Sequence, residues 1–259
     1  MMNSRFRLFY LTILKLTFVF GGCGNFSGNY EEVESSTSTE NSSTSSSTIK
    51  YLAVGGSGTV YSSPDGITWI ERTSGTSNSL NDVVYQSSDY ISVGESGTII
   101  ESSGGISWIT RATGTSNKFS GVTYGNSLYV ALGDSGLIQT STSSTSWINR
   151  TSGTTNNLIG TTYGNELFIA FGASGTILTS TDGNTWTSRT SGTTNQLSGG
   201  AYWNRYYLVV GTSGTILTST DGNTWTQRTS GSSSNLNEVI YGNGLYIVVG
   251  ASGTILTSS

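Results

Sequence analysis

From Tyr51 onward, short apolar runs alternate with breaks rich in Gly, Ser, Thr and Asn, and the alternation recurs every 39 residues. One unit shows the pattern. Leu158 to Tyr163 reads as a strand A, Gly164-Asn165 as a turn, and Leu167 to Phe171 as a strand B. Residues 172–175 turn the chain into strand C, Thr176 to Ser180, and Asp182-Gly183 turns it into strand D, Thr185 to Arg189. Short runs of β-branched and aromatic residues between Gly, Asn and Asp are strand and hairpin signals. Asp-Gly is a strong two-residue turn, because both residues tolerate positive φ. No helical apolar period competes with this reading.

The repeat holds strict register. Trp stands at 69, 108, 147, 186 and 225, and Tyr at 85, 124, 163, 202 and 241. Arg stands at 72, 111, 150, 189 and 228, and Gly at 58, 97, 136, 175, 214 and 253. A period near 40 residues points to a propeller, a solenoid or a related array. Four short strands per unit favour an all-β fold, a β-propeller of four-stranded blades, with a β-solenoid as the second reading. In such a meander the A–B and C–D turns lie at one face. The Tyr that ends strand A and the Trp that opens strand D therefore form one aromatic layer, where buried rings supply much area per residue. Trp69, Trp108, Trp147, Trp186 and Trp225 are read as structural on this ground. The Arg series is expected to bond backbone carbonyls of adjacent turns. Strands B and C occur six times and strands A and D five, giving 22. Six blades fit better than five. Five would leave two apolar runs near the C-terminus unplaced, at ~25 cal/mol per Å² of exposed apolar area.

The first 48 residues follow other rules. Arg5 and Arg7 precede a mostly apolar run, Leu8 to Phe20, and then Gly21 and Gly22, which is the pattern of a secretory signal over residues 1–22. Phe20-Gly21-Gly22-Cys23 resembles a bacterial lipobox, with Phe20 where that family usually has Leu. The resemblance implies cleavage before Cys23 and lipidation of it, hence a bacterial membrane lipoprotein facing the periplasm or displayed at the outer membrane surface. Residues 23–48 are rich in Ser, Thr, Glu and Asn, which reads as a disordered tether. The propeller is expected over 49–259.

Composition narrows the chemistry. Charged residues make up 10% of the chain, too few for helices with salt-bridged faces. The formal net charge is −4; without Arg5, Arg7 and Lys15, 8 basic residues face 15 acidic ones. No basic cluster suits a nucleic acid. His is absent, which removes the commonest general base and metal ligand. The lone Cys23 permits neither an intrachain disulfide nor a Cys-based zinc site. No cofactor fingerprint, metal site or nucleophile–base pair is visible.

The segments Ser180 to Trp186 and Ser219 to Trp225 resemble the Asp box of bacterial neuraminidase-type repeats, and residues 63–69 match as well. Here one residue is missing between Asp and Gly. Two units carry Gly104 and Ser143 in place of Asp65, Asp182 and Asp221. The chain is also similar to photosystem-assembly-factor-type propellers. In the Asp-box family the motif is structural and lies away from the active site, so the resemblance implies a fold rather than an activity. The Arg triad of a sialidase has no counterpart, since the Arg residues here recur at one position per unit.

Residues that break the repeat are the candidates for a site. Trp203 stands on an A–B turn where three units have Gly, and Arg205 and Tyr206 follow it. These three can stack on a sugar ring or anchor a protein; alternatively Trp203 fills a gap over the aromatic layer. Glu95 and Asp134, at one B–C turn position in neighbouring units, raise the question of a hard-cation site. Solvated turn acids are the simpler reading. The expected function is a monomeric, lipid-anchored binding module for a protein or glycan. The alternatives are an assembly factor for a membrane protein complex and, third, a sialidase-like glycan hydrolase.

Overall fold

The computed structural model describes Val19–Phe20 and residues 49–258. Cys23, the cleavage site before it and the tether 23–48 lie outside the described residues. Six antiparallel sheets follow one another along the chain, and the fold is a β-propeller. Blade 4 represents the unit: Leu158–Gly164, Leu167–Gly172, Ile177–Ser180 and Thr187–Arg189, paired in that order. Blades 2, 3 and 5 repeat it from Leu80 to Arg111, Phe119 to Arg150 and Leu197 to Arg228. Blade 6 has three described strands, Leu236–Gly242, Leu245–Gly250 and Ile255–Ser258. In blade 1, Tyr51–Val54, Val60–Ser63 and Ile70–Arg72 are joined on the inner edge by the short pair Val19–Phe20. That pair makes 23 described strands rather than the expected 22, and it falls inside the 1–22 segment read as a signal, so cleavage before Cys23 would remove it from blade 1.

The apolar runs are nearly continuous because each sheet is buried on both faces. Successive side chains alternate sides. Phe168, Ala170 and Leu178 face blade 3, while Ile169, Phe171 and Ile177 face blade 5. The seam between blades 3 and 4 joins Val130, Leu132 and Ile138 to Leu158, Phe168, Ala170 and Leu178, each at most 1% exposed. Leu158 starts a strand with a bulge, the register shifting between Leu158 and Gly160. The same shift recurs at Leu80, Leu197 and Leu236.

The turns show why particular residues recur. Asn165 and Glu166 both have positive φ, 45° and 60°, which makes the A–B connection a mirror-type hairpin one residue later than the sequence suggests. Between B and C, Ser174 sits at φ 54 and Gly175 at φ 68. A Cβ on Gly175 would lie 1.9 Å from the Thr193 carbonyl oxygen, so only Gly fits. The Asp-Gly turn differs from expectation. Gly183 has positive φ but Asp182 does not. Asp182 instead accepts the amides of Asn184 and Thr185 at 2.8 Å each, while Ser180 Oγ donates to it at 3.0 Å. The carboxylate closes the turn as an Asx-type cap.

The expected aromatic layer is present. Tyr163 and Phe168 lie 4.5 Å apart, and Phe168 and Trp186 6.4 Å apart. Tyr85–Tyr90–Trp108 and Tyr124–Tyr129–Trp147 repeat this arrangement. Trp186 Nε1 donates to the Gly183 carbonyl at 3.0 Å. The Arg series corrects the sequence reading: its Nε donates to a strand-C hydroxyl rather than to turn carbonyls. Arg72, Arg150, Arg189 and Arg228 reach Ser62, Thr140, Thr179 and Thr218 at 2.8–2.9 Å. Blade 2 departs from this. Glu101 replaces the hydroxyl and pairs with Arg111. Across the seam Gln139, fully buried, donates to the Thr113 carbonyl of blade 2 at 2.8 Å, and within its own blade to Asn149 Oδ1 at 2.7 Å.

Candidate functional site

The residue after the repeated Tyr decides the local surface. In blades 3 and 4 it is Gly125 and Gly164. A Cβ there would lie 2.1 Å from the ring of Tyr163 and 2.0 Å from that of Tyr202, so the next blade's Tyr lies directly over bare backbone. Trp203 occupies this position in blade 5. Its indole stacks on Tyr241 of blade 6, with ring centres 4.7 Å apart and planes 18° apart. Trp203 remains 51% exposed and Tyr206 46% exposed. The two alternatives for Trp203 are thus both partly realised: it extends the aromatic layer and still presents a face to solvent.

The neighbours fix this patch in place. Tyr241 meets Tyr246 edge-on at 5.0 Å, and the Tyr246 hydroxyl donates to the Trp203 carbonyl at 2.8 Å. Burial beside Tyr241 and Tyr202 pushes the Tyr246 phenol up, so it stays a neutral donor. Arg205 is exposed and held at φ 71, in the left-handed region. Ser88, Ser127 and Glu166 take the same conformation at this turn position, so it belongs to the repeated hairpin and what is special here is the side chain. Tyr206 and Tyr246 also border a cleft of about 570 Å³ between blades 5 and 6, floored by Leu208, Val248 and Leu256. Trp203 and Tyr206 face each other across the hairpin, with Arg205 in the turn between them. Tyr241 and Tyr246 complete the patch. The sequence hid them, because Tyr241 belongs to the structural Tyr series.

Other candidates separate from this patch. The Asp-box carboxylates act inside their own turns. Two backbone amides apiece pull Asp65 and Asp221 down to about 2, and Asp182 is lowered by the same cause. Glu95 and Asp134 each open a separate B–C turn, and Asp134 lies 3.9 Å from Lys118. Among the described residues no group of three His, Cys, Asp or Glu side chains is placed to hold a metal.

No family model matches the chain, and no curated protein matches it. Solved structures do. YCF48 from Cyanidioschyzon merolae is similar over 80% of this chain and 76% of its own, with TM-score 0.62 and 18% identity. A structure described as YCF48 bound to D1 peptide is similar over 81% of this chain and 89% of its own, with TM-score 0.53 and 18% identity. The computationally designed Ika8 protein is similar over 81% of this chain and 67% of its own, with TM-score 0.65 and 10% identity. At these identities the likeness establishes the propeller fold.

Proposed function

We propose that the chain is a membrane-tethered module that binds a protein partner through Trp203, Arg205 and Tyr206. The observation that carries this reading is the half-exposed indole of Trp203, stacked on Tyr241 at the one A–B turn where the repeat gives up Gly for Trp. Aromatic residues and Arg are the side chains that dominate protein interfaces. A structural neighbour bound to a peptide supports a propeller in this role. The open indole face equally suits stacking on a glycan ring. A second reading, an assembly factor for a membrane protein complex, draws on the resemblance to photosystem-assembly-factor-type propellers. Binding rather than catalysis suits a patch of aromatic faces and one guanidinium. The proposed anchor is a lipid on Cys23, with the head in the periplasm or at the outer surface, acting as a monomer.

Pull-down with the purified protein tests the patch. Trp203→Gly installs the residue that units 3, 4 and 6 already carry, so the fold is preserved. Partner recovery is expected to fall by about tenfold or more, as for a buried hot-spot residue. Unchanged recovery would sink the assignment. Metabolic palmitate labelling, lost in Cys23→Ser, tests the anchor independently.

A further inference from the structure

Five isoleucines set blades 1–3 apart from blades 4 and 5 along one arc of the propeller. Two residues after the motif Asp position, at 67, 106, 145, 184 and 223, the units read Ile, Ile, Thr, Asn and Asn. Directly after the repeated Trp, at 70, 109, 148, 187 and 226, they read Ile, Ile, Ile, Thr and Thr. None of the five is covered: Ile67 is 85% exposed, Ile106 57%, Ile109 55%, Ile148 53% and Ile70 43%. All lie at one edge, on the C–D turns or opening strand D, where Ile70, Ile109 and Ile148 pair with Ser62, Glu101 and Thr140.

One further observation belongs to the same arc. The units that have lost the turn carboxylate, with Gly104 and Ser143, are those of blades 2 and 3. A carboxylate is costly to remove from water, so its loss favours a contact that excludes water. The outer hairpins of blades 1–3 carry no net charge, Asp65, Glu71 and Glu101 being balanced by Arg72, Arg111 and Arg150, a neutrality that blades 4 and 5 share through Asp182 with Arg189 and Asp221 with Arg228. The acidic chain therefore does not repel an anionic surface along this edge.

We propose that the C–D edge of blades 1–3 dips into a lipid surface through Ile67, Ile70, Ile106, Ile109 and Ile148. The side chains are branched aliphatics, not the Trp, Tyr and Arg that anchor protein partners. They are spread over three blades rather than gathered in one pocket. A fluid apolar phase accepts separated side chains, each gaining from its own burial. The described propeller begins in blade 1, so the proposed tether joins the head at the blade where this arc starts. The inference deepens the reading of a membrane-tethered module and relies on it only for the presence of a membrane.

Because Cys23 is the one cysteine, Cys23→Ser with Ile106→Cys gives a single labelling site. The purified full chain, labelled there with an environment-sensitive NBD dye, is mixed with phosphatidylcholine vesicles containing brominated lipid. A blue shift and strong quenching are expected at position 106. Neither is expected with the dye at Asn184→Cys, the equivalent position in blade 4. A second chain adds Ile67→Asn, Ile70→Thr, Ile109→Thr and Ile148→Thr, residues that units 4 and 5 already accommodate. Quenching at 106 should then fall about fivefold or more at an unchanged melting temperature. Absent quenching at 106, equal quenching at 106 and 184, or no loss in the second chain overturns the proposal. So does a blue shift without lipid that grows with protein concentration, which would assign the edge to a second copy. The Trp203 pull-down reads a different surface, so each reading can fail alone.

Discussion

Backbone conformation explains the least substitutable residues. Gly175 has positive φ and a carbonyl where its Cβ would be, and Gly58, Gly97, Gly136 and Gly214 share both properties. Gly175→Ala is expected to cost roughly 2 kcal/mol or more, from left-handed strain plus the forced shift of Thr193. Glu166 is the opposite case, a side chain at φ 60 where blade 6 uses Gly244 at φ 84. Glu166→Gly is expected to raise stability by about 1 kcal/mol, read as an upward shift of roughly 2–4 °C in a thermal melt. Trp203 was legible in the sequence as a broken repeat. Its stacking partner was not, since the distance from Trp203 to Tyr241 depends on how one blade packs against the next.

Strands and turns were legible where local chemistry decides them. The register of Trp, Tyr, Arg and Gly gave the strand order and the aromatic layer. The partner of each Arg was misread, because cross-strand pairing of Arg189 with Ile177 sets Thr179 within reach, and pairing register is not written in one strand alone. The Asp-box turns make a prediction at this scale. Asp65 and Asp221 are held at about 2 against an ordinary value near ~3.9. A depressed carboxyl value stabilises the fold above the unfolded value, and that contribution is lost as pH falls through the folded one. Asp221→Asn should therefore lower the melting temperature by a constant amount from neutral pH to about 5, with the difference closing between about 4 and 2. A difference that persists at pH 2 would mean that the turn depends on side-chain shape and not on charge.

At the scale of the whole molecule, the fold is a succession of seams between near-copies. Alternating faces explain why strand B reads as an almost unbroken apolar run, and that run made the sheet count legible. The exposed edge of blades 1–3 was not singled out by the same reading. Ile suits a strand at any position, and only the fold shows that these five face water. The seam between blades 2 and 3 has a consequence for assembly. Blades that resemble one another can dock in the wrong order during folding. The buried Gln139 donates to the Thr113 carbonyl, a backbone group that every unit repeats, whereas the Ser144 hydroxyl of blade 3 bonds to Glu101 of blade 2 at a position where the other units have Gly, so a wrong neighbour leaves the Glu101 carboxylate without it. That pairing works as an address, telling the second copy which neighbour is the third. Gln139→Leu with Asn149→Ser and Glu101→Thr erases it by installing residues found in unit 4. The expected outcome is a native structure that still forms, with more swapped multimers after refolding from denaturant, counted by size-exclusion chromatography. A chain assembled from repeated text keeps its reading order by one misspelt word.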